Sequence, residues 1–479
     1  SYVVVMARHF SLSYVDHPPL TMWLVSIIRW LTGSEAGVIV RLPSMLLFCG
    51  TTWLIYRIGE TLFNSEAGVY GTLALNLSPL FFLFIGEFAV TDGPMLFFVV
   101  LSNYLLLQAL FNPSNKMWLY WLGAGFFAGV AMLAKYNAVF VPFGAGLFLL
   151  TQPAYRRWLW HPAPYLALFI CAIVFSPVII WNVQHDWISL TFQGHRALPE
   201  GGLKIDRLLA YVGLTALYTL PWIWLALIAV LISGLLNGPK DAPRWFLCCL
   251  SIGPIVFFTL VRFAANPDDK GYHWAAPGLI MLFPLLGATI QSWMPRHAAQ
   301  IRRSAIASAL ILIIILAVFV SNSFTGWVRW LHPHFAEHDP LITDFVDWND
   351  LEVALRQRGL YSPKIFVVGS RWQDCVKSDY ALRGKIPMLC LTDRPLQFPY
   401  IQSQNAFFNQ DAVIVSQKWT ITKAQEALGP YFSAIEPLGS ITLGQFGMPI
   451  RSLNLFYGRN FHTAFPWPYG HIGLAGSSQ

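Results

Sequence analysis

From residue 36 to residue 323 one arrangement repeats along the chain: an apolar run near twenty residues, then a short polar loop. Such a run, wound as a helix, covers the roughly 30 Å of hydrocarbon in a bilayer. The pattern predicts ten membrane-spanning helices, over 36–58, 67–86, 92–112, 117–134, 136–152, 162–182, 209–235, 244–263, 275–293 and 304–323. A shorter apolar stretch, Leu20–Leu31, contains Arg29 and reads as a helix lying in the membrane interface.

After Asn322 charged and turn residues return and the periodicity changes. Asp350–Gly359 has a helical pattern closed by glycine, and Arg371–Arg383 and Thr422–Tyr431 are further helices. Lys364–Gly369, Pro387–Leu391, Ala412–Ser416 and Ser452–Tyr457 are apolar enough to be strands. The expected architecture is an all-α polytopic membrane domain over 1–330 and a small α/β extracytoplasmic domain over 331–479. The chain opens with Ser1, already inside an amphipathic segment, which is the expectation for a fragment lacking an N-terminal span and the start of the first outer loop.

Composition narrows the class. Only 11% of residues are charged, against about a quarter in soluble domains, and 56% are apolar. The net charge of +7 is scattered over loops, where it sets orientation or meets membrane lipids; no nucleic-acid partner is expected. Of the six cysteines, Cys375 and Cys390 lie in the C-terminal part and can pair if that part is extracytoplasmic.

Alternate loops differ in chemistry. One set is short and basic, with Arg57, Lys116, Arg156-Arg157, Lys240–Arg244 and Arg296–Arg303, and is expected to be cytoplasmic. The other set carries acids, histidines and tryptophans, which places a shared site and the C-terminal domain on the extracytoplasmic side. Ionisable residues collected at one membrane boundary point to function.

Five groups of residues populate that side. Asp16-His17-Pro18-Pro19 is held in place by its two prolines. Glu87 and Thr91-Asp92-Gly93-Pro94 put two carboxylates at an apolar boundary; Asp92 alone is accounted for as a helix cap, Glu87 is not. Lys135 interrupts two apolar runs, either snorkelling to the interface or meeting a phosphate. Trp181-Asn182, His185-Asp186-Trp187, Phe192-Gln193 and His195-Arg196 form the fourth group, and Asp268-Asp269-Lys270-Gly271-Tyr272-His273-Trp274 the fifth. Aromatic residues there are either interfacial belts or a sugar-stacking surface. No metal-ligand spacing such as HExxH occurs; no cofactor is named, and a divalent metal stays open.

The order DHPPL, RLPS (Arg41–Ser44), SP with FxxTDGP, LAKY, WN with HDW, and HW resembles the GT-C type polyprenyl-phosphate-dependent membrane glycosyltransferases. Within these it is most similar to the protein mannosyltransferase-like and aminoarabinose lipid A transferase superfamily. That resemblance implies transfer of a sugar from a polyprenyl phosphate to a lipid A or lipopolysaccharide-type acceptor, another lipid, or a protein hydroxyl, at the outer face of the membrane. It implies catalytic roles for Asp92, Asp16 and His17, with Lys135 near the donor phosphate and His273-Trp274 binding substrate; Glu87, Lys270, His185 and Arg196 join the substrate-binding candidates on their own chemistry, as charged or imidazole groups on the same side. It also implies an Asp-Glu pair ahead of a tyrosine like Tyr2, beyond the start of this sequence. Two rival readings stand beside it: a secondary transporter, which fits acids among many spans but calls for repeated halves, and a catalytically inactive membrane scaffold.

Overall fold

The computed structural model describes residues 1–112, 114–197, 204–264, 271–331, 346–445 and 448–468. These divide into two compact units, Ser11–Leu312 and Ser1–Phe10 together with Ile313–Gln479. The first ten residues go with the C-terminal part from Ile313 on.

The unit Ser11–Leu312 is helical. Seven stretches among the described residues are long and apolar enough to cross a membrane, or eight if the bent pair Tyr136–Thr151 and Pro153–Trp160 counts as one. The chain is therefore a multi-pass membrane protein, with fewer unbroken spans than the ten expected. Prolines and one glycine-free break account for the difference. The run 67–86 is split into Ser65–Asn76 and a wide-turn helix Leu80–Ile85, because Pro79 has no N–H for the carbonyl four residues before it. The run 209–235 is two helices, Ile205–Thr219 and Pro221–Asn237, separated at Leu220, whose φ is 75°. The last two expected spans form one stretch, Phe283–Thr325, broken at His297 just after Pro295. Its 43 residues would reach about 65 Å, twice the hydrocarbon thickness, so the break divides two crossings.

Small residues set the helix spacing. Gly125 and Gly129, four apart on the Met117–Ala134 helix, face the Pro162–Gln184 helix; a methyl at Gly125 would collide with the Ala167 carbonyl, and one at Gly129 would lie 2.8 Å from the Cys171 carbonyl. Between helices in lipid, close backbone approach of this kind replaces the hydrophobic driving force. Leu119, Phe169 and Leu236 point outward from this unit, as lipid-facing residues do.

The other unit carries a five-stranded sheet: β1 (Phe366–Gly369), β2 (Met388–Leu389), β3 (Ala412–Ser416), β4 (Phe432–Gln445) and β5 (Met448–Phe461). Their order is β2-β1-β3-β5-β4, with the first three parallel and the last two antiparallel. Expected strands match β1, β2, β3 and β5. The long β4 is absent from the sequence reading because Pro437, Gly439 and Ser440 dilute its alternation. Helix Asn349–Gln357 ends two residues before Gly359 at φ +66°, as its glycine predicts. The N-terminal helix Tyr2–Ala7 packs on Trp372–Ala381: Tyr2 meets Trp372 edge to face at 5.9 Å, and Arg8 donates to Asp379 at 2.5 Å.

Cys375, on that helix, and Cys390, just after β2, form a disulfide with Cα atoms 5.8 Å apart and a sequence separation of 15. Closing a loop of this size stabilises by about 3 kcal/mol through the unfolded chain. The paired Cys375→Ser and Cys390→Ser substitutions are expected to lower the thermal midpoint of the C-terminal unit, and reductant to do the same to the wild type. Equal midpoints with and without reductant would show the bridge to be dispensable.

Candidate active site

The site is built where helices begin and end. Asp92 is the first residue of the Asp92–Phe111 helix, at its positive end. Gly93 lets this end sit close: a methyl there would lie 3.1 Å from the Ile85 carbonyl and 3.5 Å from the Ser44 side chain. Two of the sequence motifs, TDGP and RLPS, therefore touch each other.

Lys135 terminates the Met117–Ala134 helix in an extended conformation, φ −160° and ψ 138°. Its Nζ lies 2.8 Å from both Asp92 carboxylate oxygens, with the two side chains only 9% and 6% exposed. His273, in the turn before helix Ala276–Ile280, brings Nε2 to 3.7 Å from the same carboxylate and is the most exposed of the three. His17 stands close enough to act on Asp92 electrostatically. Four stretches of sequence, spread from His17 to His273, thus converge on one carboxylate.

The Asp16–His17 turn is fixed from several sides. The Tyr14 N–H donates to the His17 carbonyl at 3.1 Å, and the Trp23 indole N–H to the Ser11 carbonyl at 2.9 Å. Gln193 donates its amide to the Asp16 carbonyl. Asp16 and His17 face each other at 3.7 Å. Helix Leu20–Thr32 follows directly after the two prolines. Burial pushes the Tyr14 phenol up to about 12, so it stays a neutral donor.

An aromatic wall borders the carboxylate. Tyr272 stacks on Tyr218 at 4.2 Å, and Phe84 meets Tyr218 edge-on at 4.9 Å. Burial pushes Tyr272 up to about 12 as well. Next to Lys135, the Tyr136 hydroxyl bonds Ser189 at 2.7 Å.

The remaining expected site residues lie elsewhere or differently. His185 stacks on Trp181 at 4.1 Å with Nδ1 at 2.7 Å from the Trp181 carbonyl, which anchors it to the end of its own helix. Glu87 is half-buried in the loop before Asp92 and, among the described residues, makes no hydrogen bond or ion pair. Trp274 turns away from the carboxylate cluster to pack beside Phe258 at 5.8 Å and under the Arg262 guanidinium at 5.7 Å. Lys270, Asp268 and Asp269 lie outside the described residues. Arg196 falls on the Ile188–Ala197 helix, and its side chain lies outside the described residues. Among the described residues no three His, Cys, Asp or Glu side chains converge as metal ligands.

The sequence places Tyr136, Gln193 and Arg262 on the same side without a role, and gives no sign of Ser189 or Tyr218 as neighbours of the site. Arg262 carried a signal, since it is a cation near the end of an apolar span and is 6% exposed. Ser189 carried none: a neutral polar residue among apolar ones is ordinary.

The chain has known relatives at three levels. The family described as Dolichyl-phosphate-mannose-protein mannosyltransferase matches residues 16–181, which include Asp16, His17, Glu87, Asp92 and Lys135. A lipid A galacturonosyltransferase, RgtD, of Rhizobium johnstonii is 25% identical over 283 residues, 57% of this chain and 56% of that protein. The match thus spans about half the length of that curated relative. ArnT from Cupriavidus metallidurans has a similar fold, with a TM-score of 0.62 at 16% identity in its undecaprenyl-phosphate-bound form, over 92% of this chain and 88% of that one. Its apo form gives 0.63 at 15% identity over the same shares. The resemblance read from the motifs is borne out, and the architecture is of the GT-C type.

Asp92 and Lys135 stabilise each other only as a pair. Removing one partner of such a buried ion pair leaves an uncompensated charge and costs about 3–5 kcal/mol. Asp92→Asn and Lys135→Met are each expected to lower the melting temperature in detergent markedly, and the double variant to recover most of the loss. Strictly additive losses would show that the two side chains do not act as a pair.

Proposed function

We propose that this chain is a membrane glycosyltransferase that moves a sugar from a polyprenyl-phosphate donor to a hydroxyl of a lipid A-type acceptor at the periplasmic face of the inner membrane. One observation carries the reading: Asp92, Lys135 and His273 come from three distant stretches and meet at one membrane-boundary position. The names of the similar proteins support it, a lipid A transferase in one case and a structure with undecaprenyl phosphate in another. The basic loops on the opposite side support the orientation. So does the Cys375–Cys390 disulfide, a bond that persists in oxidising compartments.

In the proposed reaction the acceptor oxygen attacks the anomeric carbon and the bond from that carbon to the phosphate oxygen breaks. Both electrons of that bond go to the phosphate, which leaves on its lipid. The acceptor proton goes to a carboxylate, Asp92 in this reading, with Asp16 the other carboxylate of the site. The departing phosphate is already a stabilised anion, so it needs a cation more than an acid, and Lys135 supplies one. In the structure that ammonium is bound to Asp92. A phosphate drawing Lys135 toward itself leaves the carboxylate to His273 and to the acceptor hydroxyl. Arrival of the donor thereby frees the base. The aromatic surface of Tyr218 and Tyr272 is suited to stack on the sugar, and the lipid tail held between spans fixes the angle of attack. Inversion at the anomeric carbon follows from a single displacement.

The test is incubation of the complete protein, in membranes, with a panel of labelled polyprenyl-phosphate sugars and a lipid A acceptor. Label is expected in the lipid A fraction with inverted configuration by NMR. Asp92→Asn is expected to cut turnover by about 10²–10⁴-fold, the usual worth of a general base, at matched amounts of folded protein. Retained configuration would replace the single displacement by two, and no label from any donor would reject the enzyme reading itself.

A further inference from the structure

Within the membrane unit lies a small chamber with about 10 Å³ of room, bordered by Asn103, Asn137, Val141, Leu250, Pro254 and Pro277 among others. It is unusual for its lining. Three interruptions of regular helix meet there. Asn137 belongs to the tight turn Tyr136–Val139 that follows Lys135. Pro254 sits inside the Ala242–Ala264 helix and has no N–H to offer the Leu250 carbonyl four residues earlier. Pro277 opens the Ala276–Ile280 helix. Within hydrocarbon, backbone groups released by such breaks are satisfied by neighbouring side chains or ordered water.

Asn103 faces this chamber from the middle of the Asp92–Phe111 helix. It is 2% exposed, and its side-chain oxygen accepts no hydrogen bond from the protein. A polar atom that deep is matched in nearly all folded proteins. Asn137, across the chamber, donates from its side-chain amide to the Trp274 carbonyl at 3.4 Å, which uses one of its two N–H bonds. The room available is about the 10–15 Å³ that one water needs, and a buried water requires two to four polar partners.

We propose that this chamber is an internal hydration site holding one ordered water. The water donates to the Asn103 side-chain oxygen and to the Leu250 carbonyl, and it accepts from the free N–H of Asn137. Its role is positional: it ties the turn after Lys135 to the Asp92–Phe111 and Ala242–Ala264 helices and so supports the break from which Lys135 reaches Asp92. Asn103 and Asn137 are positioning residues in this reading and do not touch substrate. The site stands whether or not the chain transfers sugar.

The experiment is X-ray radiolytic footprinting of the full chain in nanodiscs, in which hydroxyl radicals form at bound waters and mark adjacent side chains. Leu250 and Val141 are expected to oxidise several-fold faster than Leu227 and Val178, residues of the same types that are also buried but do not line the chamber. Asn103→Leu keeps the branching and the number of heavy atoms and removes the acceptor; it is expected to bring Leu250 and Val141 down to the control rates and to lower the melting temperature. Control rates in the wild type would show a dry chamber and overturn the proposal, even if the variant does not fold. A raised melting temperature for Asn103→Leu would overturn it too, since removing a truly unpaired buried oxygen stabilises. Labelling that changes when sodium is replaced by choline would point to a cation and not to water.

Discussion

A carboxylate and an ammonium, each less than a tenth exposed, face one another where two apolar helices reach the membrane boundary. Neither can be buried there alone, because desolvating an isolated charge costs far more than a helix contact returns. The pair therefore constrains the fold from inside: the first turn of the Asp92–Phe111 helix must meet the last turn of the Met117–Ala134 helix. The two helices are antiparallel neighbours joined by a short loop, so this pairing costs little chain entropy. His273 and His17 then approach a charge that is already fixed in position.

The same economy explains where the helices break. Lys135 reaches Asp92 only because its backbone leaves the helix at that residue and the chain re-enters through a tight turn. Pro79 loosens the segment that leads to Asp92, and Leu220 with Pro221 separates the helix bearing Tyr218 from the next. Irregular backbone at membrane depth is tolerated where it borders a protein interior and not lipid. Here it gathers around the carboxylate, as expected if the breaks exist to aim side chains.

How much of this was legible follows from what each signal depends on. Apolar runs report span positions well because hydrocarbon tolerates no charge. They report breaks poorly, because Leu220 and Leu80–Ile85 are as apolar as any helix interior. That is why ten runs became seven or eight continuous spans. Asp92 and Lys135 were visible as charges that interrupt apolar sequence, and the structure joins them. Glu87 looked equally significant, yet a loop side chain has no helix to aim it, and it stays outside the pair. Trp274 was read with His273 as a unit, but adjacent residues in a turn face different ways. In the C-terminal unit the buried parallel strands β1 and β3 were legible as continuous apolar runs, whereas β4, with one side exposed, proline and glycine within it, was not. The attachment of Tyr2–Ala7 to the C-terminal unit left no local trace at all, since it depends on Arg8 finding an acid 371 residues away.

The pairing also bears on how the proposed reaction is kept in order. A carboxylate poised as a base beside an unoccupied sugar site is equally a base toward water, and hydrolysis of an activated sugar is the competing reaction. With Lys135 bound to both oxygens, Asp92 has its lone pairs engaged and its charge offset. The donor phosphodiester carries one negative charge, as the carboxylate does, and gains a second as the sugar departs, so its pull on that ammonium grows through the transfer. The exchange of Lys135 from Asp92 to phosphate then couples donor binding to release of the base. His273, nearly a third exposed where the other two are buried, is the member of the cluster best placed to hold the carboxylate while that exchange takes place.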